Sequence, residues 1–374
     1  MRILHLVSIA TMTGPADPAL KIAEMQRKIL GHDAEIAFDT KREGDMTRRT
    51  RELGVPGRGD LGLTTKGGVR QALADRRLLV EAFAYYDVIH AHATHDHGLA
   101  ALARGQGARA KLIRSIHHPR SAQRRLFQST IFARTDAFTV VAEAHRQLVL
   151  ESYPATPPDR VFVVPGAVDP AHFSPARSGE ALRRSLGIPA EAFVVGMIAR
   201  FQAGRRQEVL IEAIAELRRR SGRDVWLALI GKGETQAALE AAIAQAGLTA
   251  VTRLYGFRDQ DLPEAIKSCD LTVLLKEGSD AGCRAVLQSL ALGVPVVGAR
   301  FPAISEAIGE GVAGRLVGGE DSAELAAAIE ALWAPGLIPE LAVAARQRVL
   351  ERYTEEQRVR AIEAIYRSVG VSAP

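Results

Sequence analysis

Short apolar runs alternate with amphipathic stretches along nearly the whole chain. Six such runs in the first half predict strands: RILHLVS, AEIAFD, VIHAH, KLIRSIH, AFTVVA and RVFVVPG. Six more follow in the second half: FVVGMIAR, VWLALIG, VTRLYGF, LTVLLK, PVVGA and AGRLV. Between them lie helical patterns such as QEVLIEAIAELRRR, with apolar residues at i, i+3, i+4 and i+7. Strands that alternate with helices are typical of parallel α/β sheets.

The alternation is interrupted once, in the proline-rich stretch DPAHFSPARSGEALRRSLGIP between Pro170 and Pro189. A chain of 374 residues is long enough for two domains, each with its own core. We therefore expect an N-terminal domain over 1–172, a linker over 173–190 and a C-terminal domain over 191–350. The tail ERYTEEQRVRAIEAIYRSVGV has no strand after it, so 351–374 is expected to form a helix that packs back on the N-terminal domain.

Charge is distributed unevenly along the chain, although composition is otherwise ordinary, with 47% hydrophobic and 24% charged residues. Residues 1–175 carry 24 Lys and Arg against 18 Asp and Glu, whereas the remainder carries 24 against 25. Much of the excess lies between Lys41 and Arg77. A solvated face explains it, and so does a surface that meets anionic lipid or an anionic acceptor. Nucleic acid is disfavoured, because no aromatic residues interleave with these cations.

Several function classes lack their signatures in this sequence. No apolar run approaches the roughly 20 residues of a membrane-spanning helix, and Cys269 and Cys283 have no metal-ligand spacing. The start MRILHLVSIATMTG favours a first core strand over a cleaved signal, so we expect a cytoplasmic protein. The first turn, around Gly14, lacks the G-x-G-x-x-G of dinucleotide enzymes, and no phosphate loop or G-x-S-x-G elbow follows.

Histidines concentrate near the ends of two predicted strands. Four of them fall in VIHAHATHDHG: His90, His92, His95 and His97. Together with Asp96 they allow a zinc site, since imidazole is a good zinc ligand. Packing at a strand end is favoured, because no H-E-x-x-H or cysteine pair accompanies them. His117 closes the next strand, in LIRSIHHPR, at the edge where parallel sheets bind ligands.

A cluster of cations opens the second half, in GMIARFQAGRRQEVLIEA. Arg200 ends a strand, and Arg205 and Arg206 stand at the entrance of a helix, where cations oppose the helix dipole. A bound diphosphate would account for them, and a solvent-facing basic turn is the alternative. Gly231 and Gly233 lie between a strand and a helix in IGKGE, where a tight turn is an equally good explanation.

Taken together, these segments resemble the retaining glycosyltransferases of family 4, which have the GT-B fold. RFQAGRRQEVLIEA is similar to the family's R-L-x-x-x-K-G-x-x-x-L-L-E-A, with Arg200 on the arginine and Arg205 on the lysine. VFVVPGAVDPAHFSP is similar to the linker v-i-P-N-G-v-D-x-x-x-F-x-P. LIGKGE, LYGF with Phe257, and ISEAIGEGVAGRLV match later landmarks, the last without the family's glycine pair. VIHAH and LIRSIH fit the first half, and His117 falls on the donor-side histidine.

The chain departs from the family's hallmark E-x7-E, which lies in E-G-F-G-x-x-x-x-E-A-M-A-x-G-x-P. Anchoring on LQSLALGVP sets Gln288 on the second glutamate and Asp280 on the first, which gives D-x7-Q. Glu277 is three residues out of register. In the family the first acid binds the donor sugar and the second binds ribose. An amide oxygen accepts without charge assistance, so the resemblance implies nucleotide binding weaker by roughly 1–2 kcal/mol.

The resemblance implies two Rossmann-like parallel-sheet domains facing across a cleft, the first on the acceptor side and the second binding a nucleotide-sugar. It implies transfer of the sugar, with retention, to a saccharide or lipid-linked acceptor in cell-envelope, exopolysaccharide or lipopolysaccharide synthesis. The catalytic residues expected from it are Arg200, Arg205, His117 and Asp280. The expected donor-binding residues are Gly231, Gly233, Phe257, Gly282, Cys283, Arg284 and Gln288, while Gly14 is expected on the acceptor side.

Arginines would supply the charge that a metal provides in other transferases, so we expect catalysis without a metal or other cofactor. The basic N-terminal domain could contact the inner face of an anionic membrane. Two alternatives stay open. One is a nucleotide-sugar epimerase of the same fold, and the other is a binding protein that has lost turnover, which D-x7-Q and the lone Gly14 favour.

Overall fold

A computed structural model describes residues 1–12, 14–105, 107–124, 128–278 and 282–372. In these ranges the β-strands are β1 Arg2–Val7, β2 Asp33–Phe38, β3 Val88–Ala91, β4 Lys111–Ile116, β5 Ala137–Val140, β6 Val161–Val163, β7 Phe193–Ile198, β8 Val225–Ile230, β9 Thr252–Gly256, β10 Leu271–Leu274, β11 Val296–Ala299 and β12 Gly314–Val317. The α-helices are α1 Ala16–Lys28, α2 Met46–Glu52, α3 Gly68–Tyr85, α4 Thr94–Ala103, α5 Gln128–Ala133, α6 Glu143–Ser152, α7 Glu180–Ser185, α8 Gln207–Ser221, α9 Gln236–Gln245, α10 Leu262–Lys267, α11 Arg284–Ala291, α12 Pro302–Ile308, α13 Ser322–Leu332, α14 Leu337–Arg352 and α15 Glu355–Ser368. Each apolar run singled out in the sequence overlaps one of these strands, which confirms the strand prediction.

The first sheet has six parallel strands in the order β2-β1-β3-β4-β5-β6. Alternate residues of β1 enter two different cores. Ile3 and Val7 pack with residues of α1 and α15, whereas Leu4 and Leu6 pack with residues of α3 and α4. A sheet covered on both faces requires strands that are apolar on both faces, which explains the nearly continuous hydrophobic runs.

The second sheet also has six parallel strands, in the order β12-β11-β10-β7-β8-β9. All six residues of β8 are buried. Helix α8 packs on this sheet through its periodic apolar positions, among them Leu210, Ile214 and Leu217. The predicted class, two parallel-sheet α/β domains, is thereby confirmed.

The chain divides into two compact units, each containing one sheet. The first unit comprises Met1–Gly166 and the residues from Glu355 onward, and the second comprises Ala167–Glu277 and Cys283–Thr354. Gly278 and Gly282 group with the first unit. The C-terminal helix α15 thus belongs to the first unit, where Ile362 and Tyr366 are buried in the core.

Within the described ranges, no single helix combines the length and apolar character of a membrane span. The helices α13 and α14 satisfy that test only as a pair, and they are bent by 96° at the break between them.

Candidate functional site

The second sheet has its topological switch point between β7 and β10. The chain passes from β7 to β8 on one side, whereas β10 pairs with β7 on the other side. The described residues that follow β7 and β10, 199–206 and 275–278, therefore begin at the same edge of the sheet. Ligands of open parallel sheets bind in the crevice at such a point.

Arg205 joins these two loops. Its Nη1 donates a hydrogen bond of 2.7 Å to the backbone carbonyl oxygen of Glu277. Partial burial, together with the nearby charge of Arg200, lowers the pKa of the Arg205 guanidinium. An arginine stays protonated even so, which means that the site holds two cations at a cost. A bound anion would remove that cost.

Arg206 contacts a different part of the protein from Arg205. Its side chain donates a 2.7 Å hydrogen bond to the carbonyl oxygen of Gly319 and forms an ion pair with Glu320. It also precedes α8 with a φ of +65°, in the left-handed region that favours glycine. The family motif has glycine at this position. Contacts within the protein thus account for Arg206, whereas Arg205 is the candidate residue for binding an anion.

Gly231 and Gly233 allow the loop after β8 to lie directly against the loop after β7. A Cβ atom at Gly231 would be 2.0 Å from the carbonyl oxygen of Ala199, and one at Gly233 would be 2.0 Å from that of Phe201. The backbone N–H of Phe201 donates to the carbonyl oxygen of Lys232 at 3.0 Å. Close backbone packing therefore explains both glycines, and it places this loop beside the loop that carries Arg200 and Arg205.

Phe257 follows β9 at the same edge of the sheet. Its side chain is 63% exposed, which is unusual for a large aromatic residue. The Nζ atom of Lys232 lies 5.0 Å from the centre of its ring. An exposed ring of this kind, beside a cation, can stack against a nucleotide base.

The helix α11 begins at Arg284, after a buried Cys283 whose φ of +52° again lies in the left-handed region. Gly282 is buried and Arg284 is exposed. Gln288, one turn further along α11, is half-buried and has no side-chain hydrogen bond with the described part of the chain. The predicted Asp280 lies outside the described residues.

In the first unit, His117 directly follows β4, and its side chain is only 3% exposed. Gly14 lies between β1 and α1, with a φ of +54°. The switch point of this sheet is between β1 and β3, which pair with each other although β2 follows β1 in the chain.

The four histidines of VIHAHATHDHG do not form one cluster. His90 and His92 stack at 4.3 Å and lie with His5, which sequence reasoning did not single out. His97 instead bonds to Thr135 through Nε2, at 2.8 Å. Asp96 accepts hydrogen bonds from the backbone N–H groups of His92 and Ala93, so it acts as a local cap.

Among the described residues, His5, His90 and His92 form the one group of three ligand atoms close enough for a metal ion. Every ring nitrogen of these three histidines already has a hydrogen-bond partner in the protein. Hydrogen bonding therefore accounts for their presence. The sequence signal for this group was His5, a polar residue inside the apolar run RILHLVS. The hydrogen-bond partners of His5 are too distant in sequence to be found by spacing.

Comparison with known proteins agrees with this description. The model of glycosyltransferase family 4 matches residues 19–172, and that of glycosyl transferases group 1 matches residues 178–347. A D-inositol 3-phosphate glycosyltransferase of Thermobispora bispora is 30% identical over 328 residues, which are 77% of this chain and 74% of that protein. Its counterpart from Stackebrandtia nassauensis is 28% identical over 278 residues, 66% of this chain and 60% of that protein.

Among solved structures, Anabaena HepE in complex with UDP has a TM-score of 0.83 at 21% identity, over 98% of this chain and 100% of that one. The order of the elements and the two parallel sheets thus define a two-domain fold of the glycosyltransferase type. The chain belongs to glycosyltransferase family 4. The match to the Stackebrandtia protein spans less than two thirds of its length.

Proposed function

We propose that this protein transfers a sugar from a nucleotide-sugar to a hydroxyl group of an acceptor, with retention of anomeric configuration. The observation that carries the proposal is the pair Arg200 and Arg205 at the switch point of the second sheet, where charge and burial favour an anion. A nucleoside diphosphate has that charge. Phe257 supplies an exposed ring for its base, and Gln288 an amide for its ribose.

In this mechanism the bond between the sugar and the diphosphate breaks, and negative charge develops on the leaving phosphate. Fixed guanidinium groups stabilise that charge more in the transition state than in the ground state. The acceptor oxygen attacks the anomeric carbon from the face that the phosphate leaves, and its proton passes to a phosphate oxygen. This route gives retention, and the arginines take the place that a metal ion has in other transferases.

Two names among the comparisons direct the choice of substrates. HepE was solved with UDP and with UDP-glucose, which supports uridine nucleotides as the first donors to test. Several relatives are named D-inositol 3-phosphate glycosyltransferases, which supports a sugar-like phosphate among the acceptors. Saccharide and lipid-linked acceptors of cell-envelope glycans complete the range that we propose.

We also propose that the reaction takes place in the cytoplasm, with the first unit in contact with an anionic membrane. Part of the basic stretch is neutralised, since Arg48 and Arg49 pair with Glu52. Helix α3 differs, because its outer face combines exposed apolar and basic side chains. The apolar ones are Val69, Leu73 and Val80, exposed by 76%, 53% and 47%, and the basic ones are Arg70, Arg76 and Arg77. Such a face suits the surface of an anionic bilayer.

The experiment that tests the function measures release of nucleoside diphosphate from a panel of nucleotide-sugars, in a chelator, with and without acceptors. We expect one donor to be hydrolysed slowly alone and faster with an acceptor, and the product to keep the donor's anomeric configuration. No release from any donor would favour the binding protein without turnover. Conversion of the sugar to an epimer would favour the epimerase.

A further inference from the structure

The first unit contains a continuous chain of hydrogen bonds that ends at His117. Its first bond joins Oε1 of Gln26 to Nε2 of His5 at 2.7 Å. The second joins Nδ1 of His5 to Nε2 of His92 at 2.9 Å, and the third joins Nδ1 of His92 to Nε2 of His117 at 3.0 Å. The four side chains are at most 3% exposed, so water does not interrupt the chain.

The direction of each bond follows from the first. The amide oxygen of Gln26 can only accept, so His5 must carry its proton on Nε2. A neutral imidazole has one donor and one acceptor, which makes Nδ1 of His5 an acceptor and Nε2 of His92 a donor. The same rule, applied once more, places the proton of His117 on Nε2. One amide therefore fixes the tautomer of three histidines.

A second branch from the same amide is consistent with this direction. Nε2 of Gln26 donates to the hydroxyl oxygen of Tyr366 at 3.2 Å. The hydroxyl of Tyr366 then donates to Nδ1 of His90 at 2.6 Å, and Nε2 of His90 donates to Oγ of Ser115 at 2.8 Å. Ser115 can pass its own hydrogen to Oγ1 of Thr139 at 2.6 Å. Every ring nitrogen along the two branches is used, apart from the last one of His117.

Nδ1 of His117 is buried and has no hydrogen-bond partner among the described residues. An acceptor left unpaired in the interior is costly unless a ligand supplies the hydrogen. Burial keeps the pKa of His5, His92 and His117 below the ordinary value, so the three rings are neutral near pH 7 and the direction of the bonds applies to them.

We propose that Gln26, His5 and His92 are positioning residues, which hold His117 as the Nε2–H tautomer so that its Nδ1 accepts a hydrogen bond from a hydroxyl group of the donor sugar. The inference rests on the proposed function, because that function supplies the sugar. It assigns to the buried histidine of β1, and to a glutamine of α1, a part in the recognition of the substrate.

The test records the nitrogen resonances of the histidine rings at about pH 7, where protonated and unprotonated nitrogens separate. The signals of His117 are assigned by their loss in His117→Gln. In the wild type we expect His117 to be neutral and to carry its proton on Nε2. His5→Phe and Gln26→Met remove different hydrogen bonds between Gln26 and His117. Each variant should therefore allow both tautomers of His117.

The same variants are assayed with the nucleotide-sugar that the wild type turns over. We expect kcat/KM to fall about tenfold, the effect of roughly one lost hydrogen bond, while binding of the free nucleoside diphosphate stays unchanged. His97→Phe is the matched control. His97 is equally buried, but it bonds to Thr135 and is not part of the hydrogen-bonded series that links Gln26 to His117. This variant should leave the tautomer of His117 and kcat/KM as they are.

A wild-type His117 that is protonated on Nδ1, or that is charged, would overturn the inference, since the opposite orientation of the Gln26 amide reverses every bond. So would a tautomer that neither variant changes. The wild-type spectrum alone identifies the tautomer, even where a variant does not fold. If the wild type turns over no nucleotide-sugar, the proposed function fails, and the spectrum still decides the tautomer.

Discussion

At the scale of single residues, Arg205 is the side chain on which the anion binding that we propose for the second unit most depends. It connects the loops after β7 and β10 through Glu277, and its charge lies near that of Arg200. Arg205→Ala should lower the rate of transfer by about 100-fold or more, the loss of one preorganised group that stabilises the transition state. Stability against urea should change little.

The control for Arg205→Ala is Arg219→Ala, which removes an equal charge from the exposed far end of α8. The control should retain full activity. An Arg205→Ala variant with unchanged turnover would show that the basic turn is only solvated surface.

A second residue-scale feature is the backbone at Arg206, whose φ of +65° disfavours every residue with a Cβ atom. Both Arg206→Gly and Arg206→Ala lose the contacts to Gly319 and Glu320, so their difference isolates the backbone. The glycine variant should be more stable by about 1 kcal/mol in urea unfolding.

The reference pair for this comparison is Glu212→Gly and Glu212→Ala, at an exposed position inside α8. There the order should reverse, with alanine more stable by about 1 kcal/mol. The same order at both positions would mean that Arg206 does not have a left-handed backbone in solution.

At the scale of elements, α11 carries the most direct consequence of the D-x7-Q pattern. Gln288→Glu should tighten the binding of nucleoside diphosphate by up to roughly 1–2 kcal/mol, because a carboxylate accepts the ribose hydroxyl with charge assistance. Asp280→Asn should weaken binding of the nucleotide-sugar, while binding of the free nucleoside diphosphate should stay nearly unchanged. Calorimetry with both ligands separates the two effects.

Weaker binding by Gln288→Glu, or an equal loss of both ligands in Asp280→Asn, would show that the alignment with the family is shifted. Glu277 would then be the better candidate for the carboxylate of the site. The backbone carbonyl oxygen of Glu277 accepts the hydrogen bond of Arg205, so Glu277 already belongs to the candidate site.

The strands were predictable because a parallel sheet covered on both faces demands uninterrupted apolar runs, and such runs are visible in a single sequence. The short α7 was not, since it lies in the proline-containing stretch that the sequence predicts to be a linker. Spacing also could not reveal that Arg205 and Arg206 contact different loops, because their partners lie 72 and 113 residues away. The network of His5 was missed for the same reason, since His92 is 87 residues distant.

At the scale of the whole molecule, buried histidines should make stability depend on pH. Burial lowers the pKa of His5 to about 4, and those of His90, His92 and His117 well below the ordinary value. An unfolded histidine binds its proton below about pH 6.5. Between these values the unfolded chain binds protons that the folded chain does not, so the free energy of unfolding falls as the pH falls.

Asp96 acts in the opposite sense, because burial raises its pKa to about 6 and the folded chain then takes up a proton first. Four histidines outweigh this one carboxylate. The urea midpoint should therefore decrease from about pH 7 to about pH 5, and it should decrease less steeply in His5→Phe. A constant or rising midpoint over this range would contradict the burial of neutral histidines.

The proposed function depends above all on binding of a nucleoside diphosphate by the second unit, through Arg205 and without a metal ion. A calorimetric titration with uridine, guanosine and adenosine diphosphates, in a chelator, measures this binding directly in the wild type and in Arg205→Ala. We expect saturable binding of at least one diphosphate at one site per chain, weakened at least about tenfold in the variant, the effect of one charge-assisted hydrogen bond. Binding that requires a divalent ion, or that is equal in both proteins, would contradict it.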